Sequence, residues 1–492
     1  MTEYYVSAAG NDSNDGSYTA PWKTLDKVNS ISWTFALRDR VNFRRGDTFY
    51  GKLRPPKTLD PSQPGWLRYG AYGENAAAPV LSGYKLLNTA AGWVQHAADT
   101  WKINVSQANL NVTYTGNGVA AERTGDIGIL KVDGVIKAWK RKTLATLVDQ
   151  WDFYYDEAAT TLYVRSTANP TTVAGNIQAS YDLDGVWGRS CVEVSDLTIE
   201  GYGGCGVYVA VSGEAVNRFR LLRNTIRDIG GSYLDGYKDS VSGEVGTSRY
   251  GNGVVVWNGA SNFYGEYNKI SDCFDSAWTI QCGSNSAGQT AGFTNIVWRR
   301  NLGFRCSQAE EYMYYGTGPG FVGCRSEHNT YMFMGYGFGR DTRLPDNYAD
   351  RPYLDYQTGY ATYLWGDNAA HVADLKLLRN VFYDCSYSLC MISGGQFFPN
   401  YTPSGLVSDY NVIALRPGTL MQSDNYGPDR VETVENFTAW ADLVKREQHS
   451  TLIQLPASTD TDISDADVAA ALSDLKAAAV GGQVVSIQAP WM

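Results

Sequence analysis

Asp275, Glu310 and Glu311 are the residues of this 492-residue chain whose types and spacing best suit acid–base chemistry. Two carboxyl groups about 5–10 Å apart, one kept protonated and one ionised, can cleave a glycosidic bond. Asp275 and Glu310 lie 35 positions apart (310 − 275), so only a fold that stacks successive turns of chain brings them together. Tyr312 and Tyr314 follow Glu310; such neighbours would raise its pKa and fit it for the general-acid role. Asp275 would then activate water or attack directly. Asp239, in a polar stretch upstream, is a further carboxylate candidate.

The stacking fold is written in a repeat. Asn224, Asn268, Asn301, Asn329, Asn380 and Asn411 each open a similar short apolar segment, at steps of 44, 33, 28, 51 and 31 residues. Five positions after the first five come Ile229, Cys273, Cys306, Met334 and Cys385, all apolar and read as interior. The segments are rich in Val, Ile, Tyr, Phe and Trp and punctuated by Gly and Asn. That pattern favours coiled strands over paired helices. A rung that cannot bury its apolar face alone must stack on its neighbours. Stacked asparagines can hydrogen-bond along the coil, and asparagine also tolerates left-handed turn geometry.

With each asparagine as zero, position +12 holds Ile280, Met313 and Ile392 and reads as inward. Alternation then sends +9 and +11 outward: Ala277 and Thr279, Glu310 and Tyr312, Phe338 and Arg340. Gln308 stacks over Asp275. Glu311 reads as inward, opposite Trp278. A buried unpaired carboxylate is costly, so Glu311 stays a candidate beside Glu310 against a one-residue slip of register. Two long polar stretches flank these rungs. Residues 231–250 contain Asp235, Lys238, Asp239, Glu244 and Arg249; residues 337–358 contain Arg340, Asp341, Arg343, Asp346, Asp350 and Arg351. Long loops on a rigid scaffold tend to be functional. They are expected to wall a cleft floored by Trp257 and Tyr314, with Arg249, Trp257, Tyr312, Tyr314, Arg340 and Asp341 binding substrate.

Composition bounds the partners. Tyr (34), Trp (14) and Gly (51) are abundant, charged residues make up only 19%, and the net charge is −10. Nucleic acid would want basic patches, so it is not an expected partner. Eight cysteines form no C-x-x-C pair, and no two of His96, His328, His371 and His449 fall at metal-ligand spacing. No metal site is expected. No apolar run approaches the length of a membrane span. The start, Met1 to Tyr4, lacks signal-peptide character. The expected location is extracellular, with the signal absent from this chain, or a phage virion.

The chain divides at sequence level into an N-terminal cap with first rungs (1–84), an inserted β-rich segment (85–180), the main coil (181–455) and a closing helix and strand (456–492). A short amphipathic helix after Pro21 suits the open end of the coil. Ser464 and Asp467 form a capping-box-like helix start, with Val468, Leu472 and Leu475 on one face.

Several stretches carry a resemblance: the opening YYVSAAGNDSNDG and PWKTLDKVN, then RRGDTFYG, YGAYG, PVLSG and WDFYYDEAATTLYV, and later FTAWADLVKREQHS. Together they resemble a large group of right-handed parallel β-helix proteins, comprising polysaccharide lyases, glycoside hydrolases and phage tailspike depolymerases. The resemblance covers nearly the whole chain. It implies an all-β, pectate-lyase-like solenoid with capping helices and a polysaccharide or oligosaccharide substrate. The shared stretches are architectural and leave the reaction open. Hydrolysis through Asp275 with Glu310 or Glu311 is the leading expectation. A β-eliminating lyase would instead use Lys238, Arg249, Arg340 or Tyr312 beside a cation. Calcium is expected only in that case, and no pectate-lyase-type cluster of acidic calcium ligands is evident. A non-catalytic adhesin or tailspike is the third alternative, a trimer if a tailspike and otherwise a monomer.

Overall fold

Three long parallel sheets wind along one axis. A ten-stranded sheet runs from Thr48–Tyr50 through Thr225–Ile229, Lys269–Cys273, Leu302–Phe304 and Thr330–Met332 to Thr451–Gln454. A twelve-stranded sheet starts at Glu3–Val6 and ends at Leu406–Asp409. A six-stranded sheet holds Val186–Gly188, Val207–Val209, Val254–Trp257, Ser276–Cys282, Gln308–Tyr314 and Tyr360–Gly366, in that order. Each strand pairs in parallel with the strand one turn later, which makes the molecule a parallel β-helix. The computed structural model describes residues 1–105, 126–209, 215–233, 249–282, 292–336, 360–385 and 405–478. Short breaks fall at 137–138, 142, 182–183, 258, 315, 367–370, 418–419, 423–430, 434–435, 437, 439–440, 443–446 and 458–462.

The asparagine ladder is continuous. Asn268 Oδ1 accepts the backbone and side-chain amides of Asn224 at 3.0 and 3.1 Å. Asn301 receives Asn268 at 2.8 and 3.0 Å, Asn329 receives Asn301 at 2.9 and 3.1 Å, and Asn380 receives Asn329 at 2.9 and 3.1 Å. At the far end the Asn411 amide donates to the buried Glu447 carboxylate at 2.9 and 3.1 Å. The left-handed turn belongs to a different residue from the one expected. Arg223, Tyr267, Arg300, His328, Arg379 and Tyr410, each one position before the asparagine, carry φ of 53–58°. Such a backbone costs about 1–2 kcal/mol for a residue with a Cβ, and the buried amide bonds beside it offset that cost.

Apolar ladders fill the interior. One runs through Leu81, Ile199, Ile226, Ile270, Gly303, Tyr331, Phe382 and Ile413. Gly303 stands in this aliphatic file because a Cβ there would lie 2.7 Å from the Tyr331 ring. The room so made admits Tyr331, whose hydroxyl accepts from Trp298 Nε1 at 2.9 Å. Trp298 stacks on Trp278 at 4.3 Å and 3°. An aromatic block therefore fills the coil beneath the Ser276–Cys282 and Gln308–Tyr314 strands.

Helices are few and peripheral. Leu25–Ser30, capped by Thr24, buries Leu25 and Val28 against Val6, Trp22 and Val41 at the first rung. Asp465–Ala478 starts at a reciprocal Ser464–Asp467 box, with bonds of 2.8 and 3.3 Å. Its Val468, Leu472 and Leu475 face packs on Leu302, Phe304, Met332 and Val412, covering the flank of the ten-stranded sheet. Among the described residues no helix is long and apolar enough to cross a membrane. Between the early rungs, two four-stranded antiparallel sheets enclose a separate core of Trp93, Ile103, Leu130, Phe153, Leu162 and Ile177.

Candidate active site

The outer face of the six-stranded sheet carries the carboxyl pair, with a register one residue different from the count along the sequence. Trp278 is paired with Glu310, Thr279 with Glu311 and Ile280 with Tyr312. Glu310 therefore faces the interior and Glu311 the outside, the reverse of the alternation reading. Two local features cause the slip. Between the interior cysteine and the strand start, the Asn268 rung has Phe274 and Asp275 before Ser276, whereas the Asn301 rung has only Ser307 before Gln308. Ala277 and Trp278 also both belong to the core, so alternation breaks at that point.

Glu310 is fully buried. Tyr312 donates to its Oε2 at 2.9 Å, Ser326 donates to its Oε1, and Tyr331 is a further partner. Burial pushes its carboxyl up to about 7, against the pull of these hydroxyls. This group is part of the core and does not meet substrate. Tyr312 and Tyr314 are likewise core side chains, each 1% exposed. Tyr314 packs on Phe293, Phe321 and His371 and accepts from the Gly318 amide. Neither tyrosine lies on a cleft floor, and Tyr312 cannot serve as an external base. Both entered the expected site through the same slipped register.

Glu311 occupies the outer face, 8% exposed. Its Oε2 accepts from Thr279 Oγ1 at 3.0 Å, Ser276 Oγ at 3.3 Å and Gln281 Nε2. Ser276 and Thr279 reach one oxygen because the two intervening residues both turn inward. Burial pushes the Glu311 carboxyl up to about 8, with the charge of Asp275 adding to the rise and the three donors opposing it. Donors crowded on Oε2 leave a proton to sit on Oε1. Asp275 is half-buried in the turn before the Ser276–Cys282 strand; the slipped register sets Gln308 beside Ser276 and not over Asp275, yet its amide still donates to Asp275 at 3.3 Å. Its backbone is pinned: its N–H donates to Gly251 O at 3.0 Å and its carbonyl accepts from Ser307 N at 3.0 Å. The aromatic block beneath fixes both strands.

Trp257 is half-buried and paired with Gln281 on the next outward row, and so stands beside a Glu311 partner. Arg249 falls in a short antiparallel pair with Tyr233. Asp239, Arg340 and Asp341 lie outside the described residues, as do Lys238 and most of both polar loops. Among the described residues no cluster of three or more His, Cys, Asp or Glu is placed to hold a metal ion. Sequence reasoning missed Ser276 and Gln281, which donate to the Glu311 carboxyl, because it set Glu311 on the inner face.

No family model matches this chain, and no curated protein matches it. Among solved structures, the complex of XylC with xylose is similar over 92% of this chain and 84% of its own, at 11% identity and a TM-score of 0.48. A GH136 lacto-N-biosidase from Eubacterium ramulus is similar over 92% and 68%, at 14% identity and a TM-score of 0.37. An alginate lyase from Paenibacillus sp. str. FPU-7 is similar over 88% and 97%, at 9% identity and a TM-score of 0.36. Likenesses this slight say nothing of chemistry.

Proposed function

We propose that this chain is a polysaccharide-degrading enzyme that hydrolyses glycosidic bonds, with Glu311 as general acid and Asp275 as its ionised partner. One observation carries the reading: Glu311 is buried beside Asp275 and so holds its proton at neutral pH. Protonated Glu311 gives its proton to the leaving glycosidic oxygen as the C–O bond breaks. Asp275 stabilises the positive charge that develops on the sugar, and either removes a proton from the attacking water or attacks the anomeric carbon itself. Water supplies the hydroxyl of the new reducing end. No cofactor is required by this sequence of steps. The substrate class follows from the sequence resemblance to β-helix carbohydrate-active proteins and from Trp257, which stands beside Gln281, a donor to the acid.

The test is incubation with xylan, arabinan, galactan, polygalacturonate and alginate, with mass spectrometry of the fragments. Hydrolysis gives fragments heavier by one water than the anhydro repeat. Glu311→Gln is expected to lower kcat by about a hundredfold or more, the usual loss for a general acid. Anhydro fragments with the ultraviolet absorbance of an unsaturated uronate would assign β-elimination instead. A Glu311→Gln variant as active as the wild type would overturn the assignment of the acid.

A further inference from the structure

Gln308 grips Asp275 at both ends. Its backbone N–H donates to the Asp275 carbonyl at 3.4 Å, beside that of Ser307 at 3.0 Å, and its side-chain Nε2 donates to Asp275 Oδ1 at 3.3 Å. The amide stands this way round because an ionised carboxylate only accepts. Asn252 Oδ1 fixes the next peptide by accepting the Ser276 N–H at 3.0 Å. Ala309 and Glu310 both turn inward, so Gln308 and Glu311 stand on the outer side of one strand. Ser276, paired with Gln308, donates to Glu311 Oε2 at 3.3 Å and ties both carboxyl groups into one set.

The other end of the Gln308 amide has no such partner. Gln308 is 2% exposed, and no protein group donates to its Oε1. Native structures rarely leave a buried acceptor in that state. With Nε2 held by the carboxylate, Oε1 of the same rigid amide lies within a few ångströms of it. A group that donates to Oε1 can therefore reach Asp275 as well. To satisfy both acceptors it must carry two hydrogens and be small enough to be enclosed, and a water molecule meets both conditions. A sugar hydroxyl has one hydrogen and would leave one acceptor without a donor.

We propose, resting on the reading of Glu311 as the acid, that Gln308 Oε1 and the Asp275 carboxylate hold the attacking water between them, so that cleavage inverts the anomeric centre. One water hydrogen points to each acceptor, which turns an oxygen lone pair toward the sugar. As the water oxygen bonds to the anomeric carbon, one proton passes to Asp275. The hydrogen on Gln308 stays with the new hydroxyl. The electron pair of the breaking C–O bond goes to the leaving oxygen, which takes the Glu311 proton. Asp275 ends protonated and Glu311 ionised, and exchange with solvent resets both. Attack from the face opposite the leaving group inverts the centre. Of the two roles open to Asp275, the base is thereby chosen over the nucleophile. A carboxylate set directly against the anomeric carbon would displace the water and leave Oε1 without a donor.

The test takes whichever polymer of the panel the wild type cleaves and follows the new reducing end by proton NMR before mutarotation. The first anomer formed is expected to be opposite to the linkage cleaved. Gln308→Met keeps the length of the side chain without the acceptor. It is expected to lower kcat about tenfold to a hundredfold with KM changed less than about twofold, the signature of a misplaced reacting group. Retained configuration overturns the water site and leaves Glu311 as the acid. Wild-type kcat in Gln308→Met overturns the role of Gln308. Where Gln308→Met does not fold, the anomer formed by the wild type decides alone. Inversion together with an active Glu311→Gln supports the water site and shows the acid to be misassigned. Anhydro fragments, or no cleavage of any polymer, overturn both readings.

Discussion

Adjacent glutamates Glu310 and Glu311 stand in opposite environments because a strand presents successive side chains to opposite faces. In the proposed general-acid role Glu311 must carry a proton, so activity is expected to hold below about pH 8 and to fall as pH rises through that value. Thr279→Val removes a donor that favours the ionised form. It should raise the Glu311 pKa and move the alkaline limb of kcat/KM upward; a limb that stays put would remove Glu311 from the acid role. Glu310 has a different signature. Its folded pKa of about 7 lies above its unfolded value, so the native state binds the extra proton between roughly pH 4.5 and 7. Stability from this group is present at the acid end and is lost as pH rises through 7. Glu310→Gln keeps the shape without the charge. Relative to the wild type, it is expected to gain up to about 3 kcal/mol at pH 8 and little near pH 4, read from urea unfolding at both values. Equal effects at both pH values would show that Glu310 does not titrate in this range.

At the scale of the rung, the ladder was legible in the sequence and the facing strand was not. Each asparagine meets the same demand from its neighbours, a buried acceptor for the N–H one rung before, so the residue type repeats wherever the coil repeats. The outer sheet has no such common demand. Its inward positions accept Trp278 in one rung and Glu310 in the next, because a hydroxyl cluster satisfies the carboxyl where an indole fills the space beside it. A count carried from Asn268 to Asn301 therefore missed the slip between Cys273 and Ser276, and Glu310, Tyr312 and Tyr314 went to the wrong face together. The ladder itself predicts a graded cost. Asn301→Ala strips the buried Asn268 backbone and side-chain amides of their acceptor at 2.8 and 3.0 Å and removes the 3.1 Å side-chain donor to Asn329 Oδ1, while the 2.9 Å backbone donor stays. Leaving a buried donor unsatisfied costs about 1–3 kcal/mol, and loss of the neighbouring bonds adds to it. Urea denaturation should show Asn301→Ala destabilised by about 2–4 kcal/mol, and a change within error would mean that the ladder follows the fold rather than holding it.

The two largest hydrophobic units among the described residues, the continuous core of the coil and the separate core of the antiparallel sheets, meet at one junction. Their junction rests on a small polar set around Asp228, which lies on the Thr225–Ile229 strand of the coil. Lys131, from the antiparallel sheets, forms an ion pair with Asp228, and Tyr84 donates to the same carboxylate at 3.3 Å. Ser232 adds a bond to the Asp126 carbonyl at 2.8 Å. Asp228 and Lys131 are both largely buried, with side chains 9% and 14% exposed. Removing one partner of such a pair leaves the other charge desolvated, at a cost of about 3 kcal/mol. Solenoid rungs depend mainly on their nearest neighbours, so that cost should stay local. In Asp228→Asn, amide hydrogen exchange is expected to quicken in Tyr84–Leu86, Leu130–Val132 and Ile177–Ser180. Protection in Ser276–Cys282 and Gln308–Tyr314 should remain, and turnover with it, because the Glu311 rung sits two turns from the junction strand. Faster exchange spread evenly over both units would show instead that the coil and the antiparallel sheets open as one cooperative body, with Asp228 supporting the fold throughout.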